Sequence, residues 1–122
     1  MIFVSYPKCT TCQKARKWLD SRDIPYEFRD IKTENPSLDE LKAWLHLSDL
    51  PLRKFFNTSG LLYKSLNLKE KLPSMKEHEQ LTLLARDGMF VKRPLLIDSE
   101  FVLLGFKEEE WEKATSGESI SP

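Results

Sequence analysis

The sequence has no excess of charge of either sign. Its 122 residues carry 19 lysines and arginines against 19 aspartates and glutamates, so no bulk electrostatic attraction to nucleic acid or to a membrane surface is built in. A basic nucleic-acid binder is disfavoured. Cysteine is scarce as well: Cys9 and Cys12 are the only two, too few and too close together for a disulfide-stapled secreted fold. No apolar run reaches the roughly 20 residues that span a bilayer. The opening Met1-Ile2-Phe3-Val4-Ser5 lacks the basic region and small-residue cleavage site of a signal peptide and reads as a strand. A reducing, cytoplasmic location is expected. The length suits one compact domain over residues 1–115, followed by a fraying tail at 116–122. There is no internal repeat, and monomer is the default expectation.

What is present has a clear period. Residues 2 to 5 form a β-branched and aromatic run ending before Pro7, after which Cys12, Ala15 and Leu19, with Trp18 alongside, fall on one face of a helix. Thr10 and Gln13 have capping-box spacing, which predicts a helix beginning just after Cys9. Tyr26 to Ile31 alternates apolar and polar residues and predicts a second strand, parallel to the first through a right-handed crossover. Ser37-x-x-Glu40 and Ser74-x-x-Glu77 predict two more helix starts. The first helix has Leu38, Leu41, Trp44 and Leu45 on its inner face, and the second runs through Leu81, Leu84 and Ala85 to a stop at Gly88. Leu95 to Ile97 and Phe101 to Leu104, separated by Asp98-Ser99-Glu100, predict an antiparallel hairpin, and Lys107 to Lys113 a last helix docked by Trp111. The acidic run Glu108-Glu109-Glu110 is favourable beside that helix's N-terminal dipole. The order β-α-β, helical insertion over about 36–88, β-β-α is that of an α/β, thioredoxin-like fold with a mixed sheet and an all-helical lobe.

The chemistry concentrates at Cys9-x-x-Cys12. The thiolate is the nucleophilic form, and a cysteine at a helix N-terminus has its anion stabilised by unpaired backbone N–H groups and the positive end of the dipole. Cys9 holds that position, and Lys8 adds a neighbouring positive charge. Cys12, one turn on and facing inward, is placed to attack a mixed disulfide formed on Cys9. The plain alternative is a pair of inert cysteines, one buried as a small hydrophobe. Its location between a first strand and its helix favours the redox reading. A zinc site would need two further ligands, and the only histidines, His46 and His78, fall singly in separate helices, so no metal is expected. No cofactor fingerprint is present. Lys92-Arg93-Pro94 precedes the third strand; on the residues alone Arg93 is either an ordinary surface arginine or one whose planar fork faces a thiolate or an oxyanion. The isomer at Pro94 is not legible.

Four segments together carry a resemblance: Tyr6-Pro7-Lys8-Cys9-Thr10-Thr11-Cys12, Phe56-Asn57-Thr58-Ser59-Gly60-x-x-Tyr63, Asp87-Gly88-Met89-x-Val91-Lys92-Arg93-Pro94 and Gly105-Phe106-Lys107-Glu108-x-Glu110-Trp111. In this order and spacing, from Ile2 to about Lys113, the chain resembles the bacterial arsenate reductase-like (ArsC/Spx) family. The resemblance implies that Cys9 is the reactive thiol, that Arg93 is the arginine over it, and that Pro94 is the family's cis-proline. Lys8, Thr10, Thr11 and the loop Asn57, Thr58 and Ser59 are then candidate substrate-binding residues. Glutathione-dependent arsenate reductases of the family have one active-site cysteine and several arginines. Here Cys12 is present, and Asn57-Thr58-Ser59 stands where a further arginine would be expected.

Two functions follow from this resemblance. One is a thiol-dependent oxidoreductase in which Cys9 attacks arsenate or a disulfide and Cys12 resolves the adduct, with glutaredoxin and glutathione, or thioredoxin, as reductant. The other is an Spx-like redox-sensing regulator acting through a protein partner such as RNA polymerase, without direct nucleic-acid or membrane contact.

Overall fold

A computed structural model describes residues 1–116; apart from Ser116, the predicted tail lies outside the described residues. Four strands, β1 (Ile2–Ser5), β2 (Glu27–Asp30), β3 (Leu95–Ile97) and β4 (Val102–Leu104), form one sheet in the order β2-β1-β3-β4. β1 runs parallel to β2, and the β1/β3 and β3/β4 pairs are antiparallel. Six helices accompany them among the described residues: α1 (Thr10–Ser21), α2 (Leu38–Ser48), α3 (Leu61–Ser65), α4 (Leu68–Lys71), α5 (Glu77–Arg86) and α6 (Glu108–Ser116). Helices α2 to α5 all fall between β2 and β3, as expected for a thioredoxin-like sheet carrying a helical insertion.

The alternation of side chains along each strand separates two cores. Phe3 and Leu96 point to one face, where α1 and α6 add Ala15, Trp18, Leu19 and Trp111. Val4, Leu95 and Ile97 point to the other, where the inserted helices add Leu41, Trp44, Leu81 and Leu84. Trp18, Trp44 and Trp111 are all buried, which fits their placement on inner helix faces. Trp111 also donates its indole N–H to the Gly105 carbonyl at 3.0 Å, so burial leaves no donor unpaired.

Of the three predicted capping boxes, one forms at the predicted residues. Ser37 accepts from the Glu40 N–H at 3.1 Å, and Glu40 accepts from the Ser37 N–H at 3.0 Å. Glu40 also takes the guanidinium of Arg29 at 2.7 Å, tying β2 to the start of α2. At α1 the start is as predicted but the cap is not: Cys9 is the N-cap residue, and Gln13 reaches back to the Pro7 carbonyl at 2.8 Å. At α5 the start lies two residues later than predicted. Glu79 caps the Lys76 N–H at 2.8 Å, while Ser74 turns its hydroxyl to the Lys71 carbonyl. The second strand is also shorter than predicted, Glu27–Asp30, with a turn beginning at Ile31, whose N–H still donates to the Ser5 carbonyl at 2.9 Å.

Gly88 has a different role from the helix stop expected of it. α5 already ends at Arg86, and Gly88 begins a 3₁₀ turn over Gly88–Phe90. A Cβ at this position would stand 1.7 Å from the Ile31 carbonyl oxygen. The glycine is required because two backbone segments touch there, and no left-handed turn is involved.

Candidate active site

β1 ends at Ser5, and Tyr6, Pro7 and Lys8 turn the chain so that Cys9 becomes the N-cap of α1. The first turn of a helix leaves N–H groups without intrahelical partners, and here those of Thr11 and Cys12 point to the Cys9 sulfur. Burial alone would push the Cys9 thiol up. The N–H groups, a hydrogen bond from the Cys12 thiol and the charge of Arg93 outweigh it, so its pKa is lowered.

Cys12 shows the opposite balance. It is 1% exposed, and burial is the main cause of a raised pKa, reinforced by the neighbouring Cys9; the N–H of Tyr6 and the hydroxyl of Ser5 only partly offset it. The Tyr6 N–H meets the Cys12 sulfur at 3.4 Å. Both cysteines are free thiols, Cys12 buried and Cys9 half-buried. One helix turn thus carries two chemically unlike thiols in hydrogen-bond contact.

Arg93 is held beside this pair from three directions. Its guanidinium lies over the Tyr6 ring, 5.2 Å from the centroid, and donates to the Met89 carbonyl at 3.4 Å. With its amide turned so that oxygen faces the guanidinium, Asn57 accepts from both terminal nitrogens of Arg93 at 3.3 Å and donates to Ser59 at 3.2 Å. Arg93-Pro94 is a cis peptide bond, and Pro94 is buried at the entry to β3.

The other sequence candidates are distributed unevenly. Thr11 contributes its backbone N–H to Cys9. Lys8 and Thr10 are exposed, and among the described residues their side chains make no hydrogen bond or ion pair. Ser59 supports Asn57, whereas the exposed Thr58 lines a separate cleft with Lys92 and Lys107. Sequence reasoning gave no role to Ser5, Tyr6 or the Met89 carbonyl. Tyr6 and Met89 stand in the segments that carry the resemblance, and the signal for Ser5 was its position at the C-terminal end of β1, beside the turn that carries Cys9.

His46 and His78 fall singly in α2 and α5 and are exposed, and the packing of the two helices lets both line one cleft of about 460 Å³, with Lys42 and Glu77. Even so, no group of three or more His, Cys, Asp or Glu residues suited to a metal occurs among the described residues. No helix there is long and apolar enough to cross a membrane.

A mixed thioredoxin-like sheet, two thiols at the start of its first helix and an arginine before a cis-proline define the class: a thioredoxin-like protein with a helical insertion. Residues 4–114 match the ArsC family, and the chain belongs to it. It is 53% identical over 113 residues to the uncharacterized protein YusI of Bacillus subtilis, covering 93% of this chain and 96% of that one. It is 34% identical to the global transcriptional regulator Spx of Listeria innocua, covering 85% of this chain and 78% of the relative. A solved structure from Bacteroides fragilis, described as ArsC family related, superposes with a TM-score of 0.90 at 58% identity, over 92% of this chain and 94% of that one.

Proposed function

We propose that this protein is a thiol-dependent oxidoreductase in which Cys9 is the nucleophile and Cys12 the resolving thiol. The observation that carries this reading is the opposed behaviour of the two sulfurs: the half-buried Cys9 favours the anion, while the buried Cys12 holds its proton. With a disulfide substrate, the Cys9 thiolate attacks one sulfur, forms a mixed disulfide and releases the other as a thiolate. Cys12 then gives up its proton to solvent and attacks the Cys9 sulfur. The second substrate thiolate leaves, and a Cys9–Cys12 disulfide remains. An external dithiol of the thioredoxin or glutaredoxin type returns two electrons. With arsenate, Cys9 displaces water to form a sulfur–arsenic bond. Attack of Cys12 on the Cys9 sulfur then leaves that electron pair on arsenic, which departs as arsenite.

Arg93 supports both steps by placing a fixed positive charge beside the developing anion. Asn57 holds that charge in position and does not itself contribute one. Arg93 is the side-chain cation whose charge bears on the Cys9 sulfur, and this reliance on one fixed guanidinium favours a disulfide over arsenate as the better substrate.

The test is NADPH consumption by the reduced protein with arsenate or a small disulfide, coupled separately to thioredoxin with its reductase and to glutathione with glutaredoxin. Turnover that disappears in Cys9→Ser and stalls as a mixed adduct in Cys12→Ser is the expected result. Full turnover in Cys9→Ser would end the proposal.

A second reading is favoured by the 34% identity to a global transcriptional regulator. On that reading the same thiol pair switches the affinity for a protein partner, RNA polymerase among the candidates. Such a switch requires different affinity for the dithiol and disulfide forms. Equal retention of polymerase subunits by the two forms would remove it.

A further inference from the structure

The second cleft of interest opens beside the sheet, and neither thiol lines it. It has a volume of about 670 Å³, and four cations reach it: Arg53, Lys54, Lys92 and Lys107. Lys107 has a carboxylate neighbour, Glu110 at 3.9 Å. Among the described residues, the other three have none within ion-pair distance. In a chain of zero net charge, this is a local concentration of unpaired positive charge. Phe56 and Leu104 supply an apolar floor, and Leu50 at the rim is 40% exposed.

The cleft wall is also an open sheet edge. β4 is the last strand in the order β2-β1-β3-β4. The Gly105 N–H donates to the Pro94 carbonyl at 2.8 Å, and the Asp98 N–H to the Phe101 carbonyl at 2.9 Å. These bonds fix which pairs of the antiparallel ladder are hydrogen-bonded: Pro94 with Gly105, where the proline only accepts, Leu96 with Leu103, and Asp98 with Phe101. The intervening residues, Val102 and Leu104, therefore turn their N–H and C=O groups away from β3. No other backbone or side-chain group among the described residues takes them up.

We propose that this cleft docks an extended acidic peptide segment of a protein partner, which adds a strand to the open edge of β4 while its carboxylates pair with Arg53, Lys54 and Lys92. The edge offers alternating donors and acceptors, the pattern of a peptide backbone; an isolated anion would leave the carbonyls without partners. A second copy of this chain is a poor occupant, because edge-to-edge pairing would bring two clefts of like charge together. Lysines near an edge also serve as protection against aggregation. Protective charges usually sit on the strand itself, however, and β4 is Val-Leu-Leu, with the cations arriving from surrounding segments.

The test uses the full chain, reduced and isotope-labelled, titrated with an end-blocked peptide of alternating glutamate and valine. The expected result is amide shifts centred on Val102, Leu104 and Lys92, with binding that weakens as salt is raised. Lys54→Glu combined with Lys92→Glu should weaken binding by about tenfold or more while the rest of the spectrum stays folded. The same peptide N-methylated at alternate amides should lose a similar factor, about tenfold, because strand addition needs its N–H groups. Cys9→Ser should bind unchanged, since the cleft does not depend on the thiol chemistry proposed above. The proposal is overturned if a lysine-valine peptide or the N-methylated peptide binds equally well, or if inorganic triphosphate alone reproduces the shifts. Loss of peptide binding in Cys9→Ser would also overturn it, by placing the peptide at the thiols.

Discussion

The two faces of the sheet use different materials. On the α1/α6 face, Phe3, Trp18 and Trp111 meet edge to face, with Phe106 and Tyr26 completing the set. On the other face the inserted helices pack mainly leucines, and the ring pair there is Phe56 with Tyr63. Large rings at T-shaped geometry have few alternative packings, so the helix that carries both thiols rests on a stiff base. The leucine-rich lobe delivers Asn57, which is brought to Arg93 by direct pairing of the two segments: Phe56 bridges Val91, the Asn57 N–H donates to the Phe90 carbonyl at 2.8 Å, and the Lys92 N–H donates to the Phe55 carbonyl at 2.7 Å. The thiols are thus fixed from one side and tuned from the other.

The largest expected effect breaks the stiff side. Trp111→Ala removes a fully buried indole and its bond to Gly105, and should cost about 3–5 kcal/mol in denaturant unfolding. A change smaller than that of a typical surface substitution would show that the aromatic base is not what holds α1.

Next is the joint between the two parts. Gly88→Ala places a methyl against the Ile31 backbone and should cost about 1–3 kcal/mol, because two main chains must separate. A neutral result would show that this joint gives way freely.

Much of this architecture is legible in the sequence. The alternation of β1 and the hairpin strands, and the helical period of Cys12, Ala15 and Leu19, each state which side faces the core. What remained hidden depends on residues distant in sequence. Gly88 looks like a helix stop until Ile31 is brought against it, and His46 and His78 look isolated until α2 packs on α5. Asn57 looks like a loop residue until Arg93 lies in reach. The failure of the Thr10–Gln13 capping box was equally obscure, since Gln13 finds the Pro7 carbonyl only after β1 and α1 have closed their turn.

The tuning side gives smaller effects. Arg93→Ala should raise the Cys9 pKa, and Asn57→Ala should raise it less, with no comparable loss of stability; thiol absorbance followed against pH measures both. Equal shifts would mean that Asn57 acts on the thiol directly and not by holding the arginine.

The smallest effect concerns the Arg29–Glu40 tie. Arg29 holds the Glu40 carboxyl down to about 2 from 4.5. A depressed carboxylate stabilises the fold above its unfolded value, and that contribution is lost as pH falls from about 4.5 towards 2. Glu40→Gln should therefore lower Tm modestly at neutral pH and flatten its decline through that window. Solvent screening at this half-exposed pair keeps the difference small. An unchanged acid profile would show that the tie contributes nothing measurable.

The most direct test of the unequal thiols is alkylation of the reduced protein with iodoacetamide over a range of pH, with each site quantified by peptide mass spectrometry. The account predicts that Cys9 is modified first, with a midpoint below that of an ordinary cysteine, while Cys12 stays protected until Cys9 has reacted or the protein unfolds. Modification of Cys12 first, or of both cysteines along one common curve, would contradict it.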